Sequence, residues 1–514
     1  MTASTMPERY NVSTILDANL EAGRGAKAAI VGEYGEVSYE RLLAMACAAG
    51  RALRALAVQR EQRVLMVMDD TPAFPAVFLG AIRAGMVPVP VNPLFKPEDY
   101  RYLLADSDAR AVVADLDLLP KVAEALAGHD QPVQLVVAGG QGEDALALED
   151  LLAEHAGELA PAPTHRDDAA FWLYSSGSTG RPKGVVHLHH DLPYTCQTYA
   201  AQVLGIGTDD VCLSTTKLFH AFGLGYSLSF PFWVGATSVQ LYGRPAPDRV
   251  LEAVERHRPT LLFSVPTLYN AMLAAPGAAE RDLSSVRLCV SAAESLPAEI
   301  WRRWHDTYGL VILDGIGSTE LLHIFCSNTA ERLRPGSSGI PVPGYDLKLL
   351  GDEDEPVPRG ETGTLYVRGD SALAGYWRQH EKTKQTVLGD WVWTGDRYRQ
   401  DADGFWWHQG RVDDMLKVGG LWVSPVEMEQ ALAEHPAVYE CAVVQVLVDG
   451  LTRIKAVVVC READAGQLTA ELQAWCKQRL QRHEFPHIVE YADELPKTTT
   501  GKVQRFKLRA GTAG

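Results

Sequence analysis

The segment YSSGSTGRPKG, residues 174–184, decides how this chain is interpreted. Serine and threonine alternate with glycine, and the segment ends in Arg-Pro-Lys-Gly. Small residues allow several backbone N–H groups to point into one concavity, and hydroxyl side chains add further donors. With the cation of Lys183 at its end, the segment is suited to holding a polyphosphate.

The same segment does not fit the P-loop of kinases and related enzymes. In a P-loop the lysine follows glycine directly and is followed by serine or threonine. Here Pro182 precedes Lys183, which disfavours an immediate helix, and VVHLHH (185–190) reads as a strand. A flexible surface loop rich in Ser and Gly is the plain alternative, and the ordered pattern argues against it.

Around this segment, short β-like runs alternate with amphipathic helical patterns through most of the first 400 residues. Strands are predicted at 63–69, 87–91, 260–265, 285–292 and 310–315, and helices at 72–84 and after Asp248, which is the expected N-cap. This alternation predicts an α/β fold with mainly parallel sheets.

The pattern changes past about residue 335. The stretches 345–358 and 363–370 read as antiparallel strands of a small β-rich subdomain. The last hundred residues restart an α+β pattern, with helices at 424–436, where Ser424 is the expected cap, and 468–480, and strands at 439–448 and 453–460. A domain joint is expected between Arg411 and Asp414.

Composition excludes several classes of protein. The chain has 514 residues, 46% of them hydrophobic, and a net charge of −17, so it is neither disordered nor a general nucleic-acid binder. No apolar run reaches the roughly 18 residues of a membrane span. The N-terminus lacks the features of a signal peptide, and eight cysteines without any CxxC pair fit a reducing compartment. A cytoplasmic protein without nucleic-acid or membrane partners is expected.

Four segments of the chain carry a specific resemblance to a known family. The segments AFWLYSSGSTGRPKGVVH, DGIGSTELLHIF, GRVDDMLKV and ELPKTTTGKVQRFKLR occur in the order found in the adenylate-forming superfamily, which comprises acyl- and aryl-CoA ligases, peptide-synthetase adenylation domains and luciferases. They are most similar to those of benzoate–CoA ligases. The resemblance implies a large N-terminal domain of three subdomains, residues 1–411, and a small mobile α+β domain, residues 412–514.

The resemblance also implies an ATP site. Thr319 would contact the α-phosphate and Glu320 would hold Mg²⁺, whose preferred ligands are hard oxygens. Asp396 would accept both ribose hydroxyls, with Arg411 as a second ribose contact. The full set of residues implied for nucleotide binding is Ser175, Ser176, Gly177, Ser178, Thr179, Gly180, Lys183, Ala293, Glu294, Asp314, Gly315, Ile316, Ser318, Thr319, Asp396 and Arg411.

Further roles fall on the C-terminal part. Lys502 matches the catalytic lysine that bridges the substrate carboxylate and the α-phosphate, where it would neutralise two approaching anions. Asp413 matches the hinge residue. A loop with Lys417, Gly419 and Gly420 would line the tunnel for the pantetheine arm of coenzyme A.

The acyl pocket is expected between the segments 218–225, 264–270 and 320–325. Its implied walls are Phe219, His220, Phe222, Ser264, Ala292, Gly317, Leu322, His323 and Ile324. Flat aromatic side chains suit a ring-bearing acid. His220 matches the gating aromatic or histidine that the family has beside the acyl site, and the resemblance implies a catalytic role for it together with Lys502, Thr319 and Glu320. His220 and Ser264 stand where benzoate ligases commonly have phenylalanine and glycine, which favours a ring with a polar substituent. His187, His189 and His190 are interpreted as ordinary strand or loop residues.

The implied reaction uses ATP, Mg²⁺ and coenzyme A. An aromatic acid, benzoate or an amino- or hydroxybenzoate such as anthranilate, would form an aryl-adenylate and then a CoA thioester. Three alternatives remain open at this point: an enzyme loading a carrier protein, an aliphatic acyl-CoA ligase and a catalytically silent nucleotide-binding scaffold. The sequence does not define the oligomeric state, and a homodimer is one option.

Overall fold

The computed structural model describes residues 6–175, 181–412, 415–418, 421–448, 451–460, 468–480, 484–497 and 503–510. Helices and sheets alternate over most of this length. The α-helices are Ile15–Glu21, Tyr39–Ala55, Ala73–Arg83, Pro97–Ser107, Leu119–Leu126, Leu148–Glu154, Asp191–Thr195, Ala221–Leu224, Phe230–Val234, Pro247–His257, Pro266–Leu273, Ala298–Tyr308, His380–Thr386, Pro425–Ala433, Leu468–Arg479 and Arg505–Ala510.

The largest sheet has nine strands and forms the centre of the N-terminal part. Their spatial order is Ile340–Pro341, Ile324–Ser327, Ile312–Gly317, Leu288–Ser291, Leu261–Ser264, Val211–Ser214, Thr237–Gln240, Ala28–Gly32 and Gly35–Ser38. The six strands from Ile312–Gly317 to Ala28–Gly32 are parallel, and the outer ones are antiparallel. In parallel sheets the carboxyl ends of the strands form the usual ligand crevice.

A second sheet of five parallel strands lies in the first 150 residues. Its spatial order is Val87–Pro90, Arg63–Val67, Ala111–Asp115, Gln134–Ala138 and Leu146–Ala147. Two helices, Tyr39–Ala55 and Ala73–Arg83, approach each other closely beside it. A Cβ at Gly50 would stand 2.6 Å from the carbonyl oxygen of Gly80, so only glycine permits this approach.

Four smaller sheets complete the described residues, and their strand pairs are antiparallel except that of Leu451–Cys460 with Ile488–Tyr491, which is parallel. Strands Ala169–Ser175, Lys183–Leu188 and Gly375–Tyr376 form one. A β-rich sheet contains Asp346–Leu350, Thr362–Arg368, Val387–Leu388, Trp391–Gln400 and Trp406–Arg411. The C-terminal part pairs Leu416–Val418 with Leu421–Val423, and packs Val438–Val448, Leu451–Cys460 and Ile488–Tyr491 against the helices Pro425–Ala433 and Leu468–Arg479.

Most elements match those expected from the sequence, and the differences lie in helix caps and in strand bounds, such as Ile312–Gly317 where 310–315 is expected. Ser424 caps its helix as expected, because its Oγ accepts the Glu427 N–H at 3.1 Å. Asp248 is not an N-cap: the helix begins at Pro247, whose ring is already set for the first helical position, and Asp248 lies in the first turn. The strand expected at 285–292 is only Leu288–Ser291, because Val286 closes a turn onto Leu283.

A buried carboxyl group, Asp115, ends a strand of the five-stranded sheet. Burial raises its pKa to about 7, although the Asp69 N–H, which donates to Asp115 at 2.7 Å, acts in the opposite direction. In the unfolded chain an Asp ionises near pH 3.9, which is lower than the pKa in the folded protein. The contribution of this group to the free energy of unfolding is therefore fully present below about pH 3.9 and is lost as the pH rises through about 7.

Replacing Asp115 by Asn is therefore expected to stabilise the protein at high pH. Asparagine keeps an acceptor for the Asp69 N–H and cannot ionise. The melting temperature should rise by about 2 °C or more at pH 8 and change little at pH 4.5. Thermal unfolding at the two pH values measures this, and an equal effect at both would show that ionisation of Asp115 is not the cause.

Candidate active site

Both stems of the segment 174–184 are attached to the helix Pro97–Ser107. Tyr174, before the loop, donates its hydroxyl hydrogen to Asp106 at 2.6 Å. Tyr102 donates to the carbonyl oxygen of Pro182, after the loop, at 2.9 Å. Ser175 pairs with Lys183 across the two strands, which brings both residues to one end of the hairpin. The predicted nucleotide contacts Ser176, Gly177, Ser178, Thr179 and Gly180 lie outside the described residues.

Glu320 is the centre of a polar cluster at this end of the hairpin. Its Oε1 accepts hydrogen bonds from the hydroxyls of Ser175 at 3.2 Å and Tyr376 at 2.9 Å. The ammonium group of Lys183 lies 4.7 Å from the centre of the Tyr376 ring. The structure thus brings together Ser175, Lys183 and Glu320, three of the residues predicted for ATP and Mg²⁺.

Lys183 is half-buried, and its charge is not fully balanced. Burial lowers the pKa of Lys183, and the positive charges of Lys382 and Arg411 lower it further. The negative charge of Glu320 acts in the opposite direction and raises the pKa. A cation in such a setting gains from a polyanion that arrives beside it. The electrostatics of this corner therefore fit a phosphate chain.

The strand Ile312–Gly317 leads directly to Glu320 and carries several predicted contacts. Asp314 is 4% exposed, its Oδ2 accepts the Leu296 N–H at 3.3 Å, and burial raises its pKa well above the ordinary value. A Cβ at Gly317 would lie 2.5 Å from the carbonyl oxygen of His323, so the neighbouring strand approaches closely. After Ser318, a single 3₁₀ turn, Thr319–Leu321, presents Thr319 and Glu320.

The predicted adenine wall follows a neighbouring parallel strand. Ala292 is buried, Ala293 is exposed and adopts a φ of +75°, and Glu294 is half-buried. The left-handed backbone at Ala293 is unusual for a residue with a Cβ. It turns the chain out of the strand at the crevice formed by the strand ends. Gly315 and Ile316 lie on the adjacent strand Ile312–Gly317.

A second polar corner lies in the β-rich sheet. Arg411 donates to Asp396 Oδ1 at 3.0 Å, and His408 Nε2 lies 3.8 Å from the same oxygen. Burial would raise the pKa of Asp396, but His408 and Arg411 outweigh it and the pKa is lowered, so the group is an anion. Gly395 has a φ of +75°, which favours glycine, and a Cβ there would lie 2.8 Å from the guanidinium group of Arg411. An ionised carboxylate suits a pair of ribose hydroxyls.

The predicted acyl-pocket residues lie around an aromatic cluster. His323 is buried and stacks on Phe222 at 5.7 Å between ring centres, and Tyr226 and Phe230 contact its other sides. Burial lowers the pKa of His323 to about 3, so its ring is neutral. His220 precedes the short helix Ala221–Leu224 and contacts Phe219 at 4.4 Å between ring centres. Leu322, with a φ of +64°, and Ile324 flank His323 and are buried.

The hydroxyl of Ser264 has a hydrogen-bond partner within the protein, so it does not require a polar group on the substrate. Its Oγ lies 2.9 Å from the Oγ1 of Thr215, and the side chain is fully buried. This removes one of the two reasons given by the sequence for a polar ring substituent.

Several predicted residues are not placed. Asp413, Gly419, Gly420 and Lys502 lie outside the described residues, and of Lys417 only the backbone, in strand Leu416–Val418, is described. The two sides of the Lys502 segment are nevertheless held. Lys497 lies 2.7 Å from Glu440, and Arg505 lies 2.6 Å from Glu429.

Three residues at the site were missed by sequence reasoning. Tyr376 contacts Glu320, His408 lies beside Asp396, and the Nε2 of His187 lies 2.8 Å from the carbonyl oxygen of Thr319. The interpretation of His187, His189 and His190 as ordinary residues is therefore incomplete for His187. No local sequence signal marks these three, because each contact joins residues that are distant in the chain and is made by the tertiary fold.

Comparison with known proteins defines the class. Residues 17–377 match the family described as AMP-binding enzyme, and residues 427–502 match the AMP-binding enzyme C-terminal domain. The chain therefore belongs to the AMP-binding enzyme family, whose adenylate-forming fold it shares.

The relatives define a narrower group. A benzoate–CoA ligase of Thauera aromatica is 46% identical, over 99% of this chain and 97% of its own length. The crystal structure of the anthranilate CoA ligase AuaEII with anthranoyl-AMP has a TM-score of 0.96 and 41% identity, covering 99% of this chain and 98% of that one. A benzoate CoA ligase structure from Burkholderia xenovorans LB400 has a TM-score of 0.91 and 43% identity, covering 97% and 100%. Within the family, the chain is grouped with the ATP-dependent aryl-CoA ligases, AMP-forming acid–thiol ligases that use ATP and CoA.

Among the residues that the structure describes, no helix has the length and apolar character needed to span a membrane.

Proposed function

We propose that this chain converts a benzoate-type aromatic acid to its CoA thioester through an aryl-adenylate, releasing AMP and pyrophosphate. The observation that carries the proposal is the meeting of Lys183, Ser175 and Glu320 at one end of the hairpin, on the turn that leads into the aromatic cluster of His323. Glu320, among the groups proposed to bind phosphate and Mg²⁺, lies only three residues before His323 in the aromatic cluster.

The first step would form the mixed anhydride. A carboxylate oxygen attacks the α-phosphorus of ATP, and the bond from that phosphorus to pyrophosphate breaks. Lys183 would hold the phosphate chain, and Asp396 and Arg411 would orient the ribose. Lys502 would neutralise the charge of two approaching anions, a contribution that is largest in the transition state.

The residues present fit a bound Mg²⁺. Among the described residues, no group of three or more His, Cys, Asp or Glu side chains could hold a metal ion alone. Mg²⁺ usually takes one or two carboxylates and completes its ligands with substrate phosphates and water. Glu320, with the hydroxyls of Ser175 and Thr319 nearby, offers such hard oxygen ligands. When bound, Mg²⁺ would supply charge neutralisation on the phosphates.

The second step would exchange the leaving group. The thiol of CoA attacks the acyl carbon, the bond to AMP breaks, and the thioester is released. We propose that the domain of residues 412–514 turns about Asp413 between the steps, so that the loop with Lys417, Gly419 and Gly420 replaces Lys502 at the site. Alternation of this kind keeps water from a reactive intermediate. A cytoplasmic location and a homodimer stay predictions.

The substrate class is proposed from the aromatic cluster. Phe222 and His323 stack on each other, and the ring of His323 is neutral, so this cluster offers an uncharged aromatic environment. Such an environment suits the ring of an aromatic acid better than it suits a charged substituent. Because Ser264 already bonds Thr215, plain benzoate is as well accommodated there as a substituted ring. His220 stays a candidate contact for an amino or hydroxyl substituent.

A panel of acids tests the proposal. AMP release is measured with ATP, CoA and, in parallel, benzoate, 2-aminobenzoate, 3- and 4-hydroxybenzoate and hexanoate. We expect kcat/KM for the preferred aryl acid to exceed that for hexanoate by about 100-fold or more. A preference for hexanoate would contradict the aromatic pocket. Pyrophosphate exchange without any CoA-dependent turnover would indicate a different thiol acceptor, such as a carrier protein.

A further inference from the structure

His187 is a fully buried histidine whose two ring nitrogens both face oxygen atoms. Its Nε2 lies 2.8 Å from the carbonyl oxygen of Thr319, and its Nδ1 lies 2.8 Å from Asp191 Oδ2. The ring also stacks on Phe171, with 5.4 Å between ring centres and 27° between the planes. His187 and Asp191 both have no exposed side-chain surface.

These contacts define what the ring does. A carbonyl oxygen only accepts, so Nε2 carries a hydrogen and donates a hydrogen bond to the Thr319 carbonyl oxygen. Because Nδ1 faces Asp191 Oδ2, a second proton lies in the contact between that nitrogen and that oxygen. Asp191 Oδ2 also accepts the Leu188 N–H at 3.0 Å, which fixes the carboxylate against the end of the strand. Asp191 therefore holds the orientation of the ring, as a carboxylate does for histidines whose second nitrogen has a defined task.

The carbonyl that His187 binds belongs to the turn of the proposed ATP site. Thr319 begins the 3₁₀ turn Thr319–Leu321, and Glu320 follows it. Lys183 and His187 lie four residues apart on the strand Lys183–Leu188, so they face the same side of the sheet. One strand thus supplies the lysine at its first residue and, farther along, attaches to the turn that carries Thr319 and Glu320.

We propose that His187, oriented by Asp191, is a positioning residue for adenylation. Its Nε2–H holds the Thr319 carbonyl and thereby fixes the Thr319 hydroxyl and the Glu320 carboxylate relative to Lys183. The inference rests on the proposed function, because it assigns these groups to the phosphates and Mg²⁺ of ATP. The His187–Thr319 hydrogen bond is a second contact between the hairpin and the turn Thr319–Leu321, besides the hydrogen bond from Ser175 to Glu320.

Variants of His187 test this. His187→Leu removes the donor and keeps an apolar side chain against Phe171, whereas His187→Gln places an amide N–H near the position of Nε2. Aryl-acid-dependent pyrophosphate exchange should fall about 30-fold or more in His187→Leu and stay within about fivefold of the wild type in His187→Gln. The Mg²⁺ concentration for half-maximal exchange should rise several-fold in the leucine variant alone.

A matched control separates positioning from stability. His189 is also buried on this segment, and its Nδ1 accepts the Val12 N–H at 3.1 Å, away from Thr319. His189→Leu should lower the melting temperature and leave exchange per folded molecule within about twofold of the wild type. Equal losses of exchange in His187→Leu and His187→Gln, or wild-type exchange and Mg²⁺ dependence in a folded His187→Leu, would overturn the proposal.

Two further measurements keep the outcome decisive. If His187→Leu does not fold, Asp191→Asn replaces it, and exchange should fall about tenfold; wild-type exchange in a folded Asp191→Asn would overturn the proposal. Calorimetric titration with Mg²⁺ and a non-hydrolysable ATP analogue gives a readout that is independent of turnover. The dissociation constant of the Mg²⁺–analogue complex should rise in His187→Leu and not in His187→Gln. Absence of exchange in the wild type would refute the proposed function, whereas the titration would still decide the role of His187.

Discussion

Replacing Glu320 by Gln is expected to lower aryl-acid-dependent pyrophosphate exchange by about 100-fold or more. Glutamine has nearly the same shape and still offers an oxygen to the hydroxyls of Ser175 and Tyr376. The change therefore removes the negative charge and leaves the packing intact. The loss follows because a neutral amide is a poor ligand for Mg²⁺.

The measurement is exchange of labelled pyrophosphate into ATP over a range of Mg²⁺ concentrations. Glu381→Gln is the matched control, because the side chain of Glu381 is 79% exposed on the helix His380–Thr386. This substitution should leave the rate of pyrophosphate exchange unchanged. Added Mg²⁺ should recover part of the activity of Glu320→Gln. An exchange rate within about fivefold of the wild type, with unchanged Mg²⁺ dependence, would remove Glu320 from the proposed metal site.

Replacing Lys502 by Ala is expected to produce the second large effect, a fall of about 1,000-fold in adenylation. Two anions, the carboxylate and the α-phosphate, must approach each other, and Lys502 is proposed to neutralise them. Thioester formation from a supplied aryl-adenylate and CoA should stay within about threefold of the wild type, because that step does not use Lys502. Pyrophosphate exchange and thioester formation are measured separately on the same preparation.

Lys507→Ala is the matched control for this variant. Lys507 is exposed on the helix Arg505–Ala510, only five residues beyond Lys502, so a general effect of charge near the C-terminus would appear in both variants. The ion pairs Lys497–Glu440 and Arg505–Glu429 should keep the segment attached in either case. Equal losses in the two half-reactions of Lys502→Ala would contradict a role confined to adenylation.

The fold was largely predictable because its signals are local. Strand Arg63–Val67, helix Ala73–Arg83 and helix Pro425–Ala433 with its Ser424 cap agree with periodicity and capping. The segment around Lys183 was also predicted to form a strand after Pro182, and it does. The wrong cap at Asp248 arose because Pro247, one residue earlier, already starts the helix.

Residues of the candidate site were predictable only where motifs mark them. Glu320, Asp396 and Lys183 lie in recognisable segments, whereas Tyr376 reaches Glu320 from 56 residues away and His408 reaches Asp396 across a strand pair. His187 meets Thr319 across 132 residues. Such contacts depend on which strands pair and in which register, and neither periodicity nor residue type reports that.

The most direct test of the whole account is the stoichiometry of products in one reaction. The wild-type protein, benzoate, ATP, Mg²⁺ and CoA are incubated, and benzoyl-CoA, AMP and pyrophosphate are quantified by mass spectrometry and ion chromatography. We expect equal amounts of the three products, and no thioester when any one reactant is omitted. ADP in place of AMP, or the absence of both thioester and pyrophosphate exchange with benzoate and its amino and hydroxy derivatives, would contradict it.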